Sequence, residues 1–185
     1  MQREVAFEQV HRLLAPRPVC LLTVRFRGRV NATTVAWAGP ISLGPPLIAL
    51  ALHPSCYSHD LLARSEECVL NIPGRPWAEL ALKLGSVSGE DQDKVAVHKL
   101  ALADAQRVEA PRLDGCLAYL ECGVVDRLAP GDHTLFVLQV VGAWAEEEAY
   151  DEVWLLPEGV DELTPLVHLG GSEFCLPGRR WKETR

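Results

Sequence analysis

What this sequence lacks narrows its function first. It has no G-x-G-x-x-G, so a Rossmann-type dinucleotide domain is not expected. Its six cysteines, Cys20, Cys56, Cys68, Cys116, Cys122 and Cys175, include no C-x-x-C pair, which removes the usual signature of a zinc site and of a redox dithiol. Disulfide frameworks belong to small secreted domains, so these thiols are expected to be free and mostly packed as small hydrophobes; Cys56 differs in lying in a polar loop. No apolar run is long enough to span a bilayer, and the opening residues MQREVAFEQVHRLL carry charges where a signal peptide needs an apolar core. A soluble, cytoplasmic protein is expected. Positive charge is in deficit: 18 Lys and Arg against 25 Asp and Glu leave a formal net charge of −7, which repels nucleic-acid phosphates. There is no internal repeat, no Ser/His/Asp set, no carboxylate pair and no metal-ligand box, so no metal site is expected.

What is present is an ordinary globular composition. With 185 residues, 48% of them hydrophobic and 23% charged, the chain is long enough for one core, and a single domain over 1–185 with a C-terminal tail from about 165 is expected. Apolar spacing predicts a short amphipathic helix over 4–14, with Val5, Val10, Leu13 and Leu14 as its buried stripe and Pro16 and Pro18 ending it. A strand over 19–26, a tight turn at Arg27-Gly28 and a second strand over 30–38 read as a hairpin. Pro40, Gly44, Pro45 and Pro46 then break the pattern. The run 47–52 is almost purely apolar and is expected to be covered on both faces. A polar stretch over 53–60 follows, with Ser58 as a plausible N-cap before a helix that opens at Leu61.

Further on, a strand over 68–72 precedes a helix over 77–84, framed by Pro76 at its start and Gly85 past its end. A polar loop over 86–94, two longer strands over 116–127 and 134–145, and a last short strand over 153–156 complete the expected elements. Many strands with short helices between them fit a decorated barrel, not a regular βαβ sheet.

The stretch 30–62 suggests a site. A strand of small residues lets a flat ligand lie close to the backbone. A polar loop feeding a helix start offers free N–H groups and a positive dipole end to a phosphate. Together they suggest an aromatic ligand with a phosphate tail.

The same stretch resembles a known family. Asn31-Ala32-Thr33-Thr34, Pro40-x-Ser42, Pro45-Pro46 and Ser58-His59-Asp60 followed by Asn71 look like the flavin reductase-like family of FMN-binding split barrels. Ser88-Gly89 with Asp93-Lys94, Gly131-Asp132-His133 and His168-Leu169-Gly170-Gly171 fit the same family in order and spacing. The resemblance implies a mostly β fold with short helices, a Greek-key-like split β-barrel. It implies a homodimer, bound FMN, NAD(P)H as co-substrate, and a monooxygenase or other electron-acceptor protein as a possible partner.

Residue by residue, the resemblance places Asn31, Ala32, Thr33 and Thr34 against the flavin. It places the loop His53, Ser55, Cys56, Tyr57, Ser58 and His59 at the phosphate, with Lys94 as the positive charge there and Ser88 and Gly89 in the loop before it that closes over the flavin. Each has a plainer alternative. The threonine hydroxyls could satisfy local backbone groups, Asn31 could close the hairpin, and Lys94 could be a surface lysine paired with Asp93. Asp60 suits a helix start but would repel phosphate unless it points away. His133 is the catalytic candidate, near the nicotinamide side of the flavin, and His168 a cofactor candidate in a tail folded over it; either could instead be structural. His11 and His98 carry no motif. Where relatives commonly have Gly-Glu this chain has Leu138-Gln139, and Phe174 stands where they commonly have tyrosine. The basic run Arg179-Arg180-Trp181-Lys182 is read as a solvated tail.

Two alternatives to a flavin reductase stay open: a flavoredoxin-like electron-transfer protein reduced by another protein, and a split barrel that only binds flavin or takes another ligand.

Overall fold

A computed structural model describes residues 3–178; Arg179, Arg180, Trp181 and Lys182 lie outside the described residues. In chain order the strands are β1 (Arg17–Pro18), β2 (Cys20–Phe26), β3 (Arg29–Val35), β4 (Ala38–Leu43), β5 (Pro46–Leu52), β6 (Glu67–Ile72), β7 (Leu102–Ala103), β8 (Arg112–Leu113), β9 (Ala118–Leu128), β10 (Thr134–Ala145), β11 (Tyr150–Asp151), β12 (Val153–Trp154), β13 (Val167–Gly170) and β14 (Glu173–Cys175). The helices are α1 (Tyr57–Ser65), α2 (Ala78–Ser86) and α3 (Lys94–Val97).

The main sheet has seven antiparallel strands in the order β3-β2-β6-β9-β10-β5-β4. Its curvature follows from chain length. A flat seven-stranded sheet holds its edge strands about 29 Å apart at the usual spacing. Yet the edges β3 and β4 are joined by Ala36 and Trp37 alone, a link that spans at most about 11 Å between flanking α-carbons. The sheet therefore curls until its edges approach: a split β-barrel with few short helices, as the resemblance implied.

The β2–β3 hairpin is set by its turn. Arg27 and Gly28 both have positive φ, at 50° and 78°, the two-residue geometry that matches strand twist. The barrel interior is filled by Leu22, Val24, Leu50, Leu62, Leu70, Phe136 and Leu138. A second core, outside the sheet, packs Leu21, Ala32, Val69, Ala81, Leu84, Leu113 and Leu166 under α2 and the later loops.

This arrangement corrects several expectations. The strands covered on both faces are β2, where Cys20 to Val24 are all buried, and β6, where Cys68 to Asn71 are; in β5 only Leu50 and Leu52 are. Alternation gives β5 one face in the barrel, and no helix among the described residues packs broadly on the other. Pro40 sits within β4, tolerated because β4 is an edge strand with a free N–H side. The strand after Gly28 ends at Val35, not at 38. The N-terminal segment is a 3-10 helix over Phe7–Leu14 with no buried residue, so its apolar stripe faces outward. Gly85 lies inside the last turn of α2. Beyond 153–156, β13 and β14 form a further sheet with β1, so the glycine-rich tail is structured.

Two buried polar groups pin the loops. Asn71 donates to Leu21 O (2.7 Å) and to Thr23 Oγ1 (3.1 Å), and its Oδ1 accepts from Leu113 N (2.8 Å). Glu121, fully buried on β9, pairs with Arg112 at 2.6 Å and accepts the amides of Gln106 and Arg107. All six cysteines are free. Burial pushes the Cys20 thiol up to about 12, and a hydrogen bond with Cys122 together with burial holds Cys68 well above its ordinary value.

Candidate functional site

Strand β3 is an edge of the main sheet, and α1, α2 and α3 all pack against it. An edge strand offers unpaired backbone groups that must be covered or used. Thr33 Oγ1 donates to Leu84 O (3.3 Å) and Thr34 Oγ1 to Ala81 O (2.5 Å), one turn apart on α2. The two donors thus serve local backbone, although Thr34 also lines a groove described below. Ala32 points into the second core with no exposure, which leaves only its backbone for a ligand.

The start of α1 forms one end of the site. Its N-cap is Cys56, with no side-chain cap, so Ser58 is not the expected N-cap. Ser58 lies inside the first turn, fully buried, and its Oγ accepts from Asn31 Nδ2 at 2.8 Å. Asn31 therefore neither closes the hairpin nor faces solvent. Tyr57 and Ser58 are first-turn residues whose N–H groups have no intrahelical acceptor. Asp60 turns away along the helix to Arg64 at 2.9 Å, which removes the repulsion it threatened.

The loop 87–93 closes over this end. Gly89 passes so close to Asn31 that a β-carbon there would lie 2.0 Å from Asn31 Oδ1, so only glycine fits. Ser88 Oγ accepts from Glu90 N at 3.2 Å, and Asp93 Oδ1 caps α3 through Ala96 N at 3.0 Å.

Lys94 is not a surface lysine. It is 2% exposed, donates to Leu84 O at 2.6 Å, and has no carboxylate partner among the described residues. Burial lowers its pKa, with the nearby Cys56 pulling the other way. A cavity of about 460 Å³ lies alongside, lined among others by Arg29, Val30, Tyr57, Gly89 and Asp93.

The rest of the loop divides. His53 Nδ1 bonds Ser55 Oγ at 2.7 Å, both exposed, and Arg29 donates to the Tyr57 hydroxyl at 3.3 Å. His59 turns away, bonding Thr134 Oγ1 at 2.8 Å with its ring edge on Phe136. Burial lowers its pKa. It does not join the Asn31–Ser58–Lys94 group.

The far end of β3 opens onto a second groove of about 210 Å³, lined by Thr34, Ala36, Gly85, His168, Gly171 and Phe174 among others. His168 sits opposite Arg17 in the β1–β13 register. Its Nε2–H donates to Gly171 O at 2.9 Å, and its Nδ1 is buried with no partner. His133 lies apart from that groove. It pairs with Asp132 at 2.7 Å and lies tilted against Trp37, at 4.7 Å, and edge-on to His53, at 5.3 Å. Trp37 and Arg17 were missed in the sequence; a tryptophan at a two-residue strand break, next to a proline-flanked arginine, was the available signal.

Comparison with known proteins decides the family. A model of the flavin reductase like domain matches residues 11–173. The chain belongs to the flavin reductase-like family. Family relatives include the YddH protein of Escherichia coli strain K12, 29% identical over 188 residues that cover 97% of this chain and 98% of that one. An Archaeoglobus fulgidus protein is 34% identical over 111 residues, 60% of this chain and only 63% of its own length. The reductase component of a 4-nitrophenol 4-monooxygenase/4-nitrocatechol 2-monooxygenase from Rhodococcus opacus is 31% identical over 127 residues, covering 69% and 65%. Among solved structures, an FMN-binding protein from Thermus thermophilus superposes with a TM-score of 0.84 at 25% identity, covering 100% and 99%. A flavoredoxin from Methanosarcina acetivorans gives 0.84 at 22% identity, covering 99% and 95%, a likeness of fold.

Proposed function

We propose that this flavin reductase-like chain binds FMN and transfers a hydride from NAD(P)H to flavin, passing electrons to a partner monooxygenase or another acceptor. The observation that carries the reading is Lys94: a buried ammonium with no carboxylate, beside the unpaired amides of α1. Burying a cation costs free energy unless a counter-charge compensates, and a phosphate supplies one. The cradle fits the rest of the group. Gly89 lets the 87–93 loop pack directly on Asn31, and the buried Nδ1 of His168 is an acceptor for a ring N–H.

Asn31, the 53–58 loop, Ser88 and Lys94 would hold the phosphate end, while Thr34, Ala36 and His168 would flank the ring. FMN supplies the hydride acceptor, and the protein's work is to hold the two rings in register. His133, braced by Asp132, Trp37 and His53, would position the nicotinamide without exchanging a proton. Its alanine variant should slow flavin reduction or raise the nicotinamide Michaelis constant at unchanged FMN affinity, whereas His168→Ala should weaken flavin retention.

The chain would work as one cytoplasmic domain, with no helix among the described residues long and apolar enough to cross a membrane. Phe7, Leu13 and Leu43, 88%, 67% and 95% exposed, would be covered by a second copy in a homodimer. A flavoredoxin-like electron-transfer role is the second reading, favoured by the likeness of fold to a flavoredoxin. Anaerobic NADH and NADPH titrations of the FMN-loaded protein separate the two. Bleaching of the flavin band supports a reductase, and an unreactive flavin that a reduced protein donor can bleach supports the second reading. Failure to bind FMN at all leaves only a split barrel with another ligand.

A further inference from the structure

Where β6 ends, β9 begins and β10 ends, the sheet carries an apolar groove of about 540 Å³. Ile72, Leu120 and Ala143 line it from the sheet, and Trp144, Tyr150 and Trp154 give it aromatic walls. Tyr150 and Trp154 are cross-strand partners on β11 and β12, their rings edge to face with centres 5.4 Å apart. Arg112 lies 3.9 Å over the Trp144 ring but does not line the groove, and no other charged side chain among the described residues does. The chain from β10 to β12 is the opposite in character. Glu146, Glu147, Glu148, Asp151 and Glu152 are all exposed, and none forms an ion pair among the described residues.

Indole and phenol rings attract a cation to their faces, and a rim of unpaired carboxylates adds to that attraction. The groove therefore fits a basic segment with an aromatic body. This chain holds such a segment in Arg179-Arg180-Trp181-Lys182, three cations around one indole. It starts close by: Gly178 and Leu156 line one cavity, and Leu156 is two positions past Trp154. Four extended residues reach about 14 Å, and the two steps from Leu156 back to Trp154 span at most about 7 Å. We propose that residues 179–182, which lie outside the described residues, dock in this groove, with the Trp181 ring against the aromatic walls and the cations on the carboxylate rim. The docking stands independently of the FMN reading and departs from the solvated tail expected from the sequence.

Limited digestion of the full chain with trypsin tests it, since trypsin cuts after arginine and lysine and the docked bonds must first come free. Mass spectrometry at early times reads cleavage after Arg179, Arg180 and Lys182, with a synthetic peptide of residues 174–185 as the unprotected reference. These bonds should be cut about tenfold more slowly in the protein than in the peptide, the effect of a docking free energy of about 1.4 kcal/mol. Glu147→Lys combined with Glu148→Lys, at two exposed positions, should bring the rate close to that of the peptide, and Trp181→Ala should move it the same way. Urea unfolding checks that each variant keeps its fold. Cleavage of the native protein as fast as the peptide overturns the proposal, whether the groove then stands open or takes a second copy or a basic segment of another protein. Protection that survives both variants overturns it too, as does protection lost on dilution, which would assign the groove to the tail of another copy.

Discussion

Replacing Lys94 by Met removes one charge while keeping the length of an apolar stem. In the folded protein the ammonium has one hydrogen-bond acceptor, Leu84 O at 2.6 Å, and that carbonyl also receives Thr33 Oγ1 at 3.3 Å. Losing the lysine therefore leaves Leu84 O satisfied and relieves the cost of burying an unpaired cation. Stability should change by about 1 kcal/mol or less, since apolar replacement of buried charge is often neutral. The phosphate is a different matter. An ammonium has three donors, so Lys94 can keep Leu84 O and still reach an anion. A charged hydrogen bond contributes about 1.5–3 kcal/mol, so Lys94→Met should weaken FMN binding about ten- to a hundredfold. Riboflavin, which has no phosphate, should lose almost nothing. Quenching of flavin fluorescence on titration measures both, and urea unfolding checks the fold. Equal losses for FMN and riboflavin would place Lys94 away from the phosphate and refute the reasoning.

Other consequences are as specific. Gly89→Ala puts a β-carbon 2.0 Å from Asn31 Oδ1; the overlap should cost about 1–3 kcal/mol of stability and lower FMN affinity, and an unchanged FMN titration counts against a closed 87–93 loop. Glu121→Ala strands Arg112 and two amides, so unfolding in urea should show a loss of about 3–5 kcal/mol; a loss under 1 kcal/mol refutes the pinning role. His59 has a folded pKa lowered by burial, so the unfolded chain binds more protons just below the ordinary value of 6.5. Its contribution is therefore present above pH 6.5 and lost as pH falls through the folded pKa, and His59→Gln should flatten the acid side of the melting-temperature profile.

How far the sequence foretold this depends on how local each cause is. The β2–β3 hairpin was legible because Arg27-Gly28 is a turn by its own backbone chemistry. That the cysteines are free was expected from the size and class of the chain. Coverage was not. The runs 20–24 and 47–52 are both apolar, and only the placement of α2 and the later loops decides that β2 is sealed on both faces and β5 is not. Pro40 looked like a breaker because a single chain does not reveal which strand ends at an edge. The N-terminal helix has the right spacing for a buried stripe, yet none of its residues is buried among the described residues.

The candidate site shows the same division more sharply. Motif order gathered Asn31, Ser58, Gly89 and Lys94, and the fold does bring them together. Their partners were invisible because each lies 10 or more positions away: Asn31 to Ser58 spans 27 and Lys94 to Leu84 spans 10. Those partners carry the electrostatics. Two nine-residue helices end beside β3 with opposite polarity: α2 presents its C-terminal, negative end, and α1 its N-terminal, positive end. Lys94 and Thr33 both serve the carbonyl of Leu84, which neutralises the negative end. The positive end of α1 has no side-chain cap, and the carboxylate of its own first turn, Asp60, is held by Arg64. An anion is therefore favoured at α1 and not at α2, and that preference comes from how the motif residues are spent on the two helix ends rather than from any one of them.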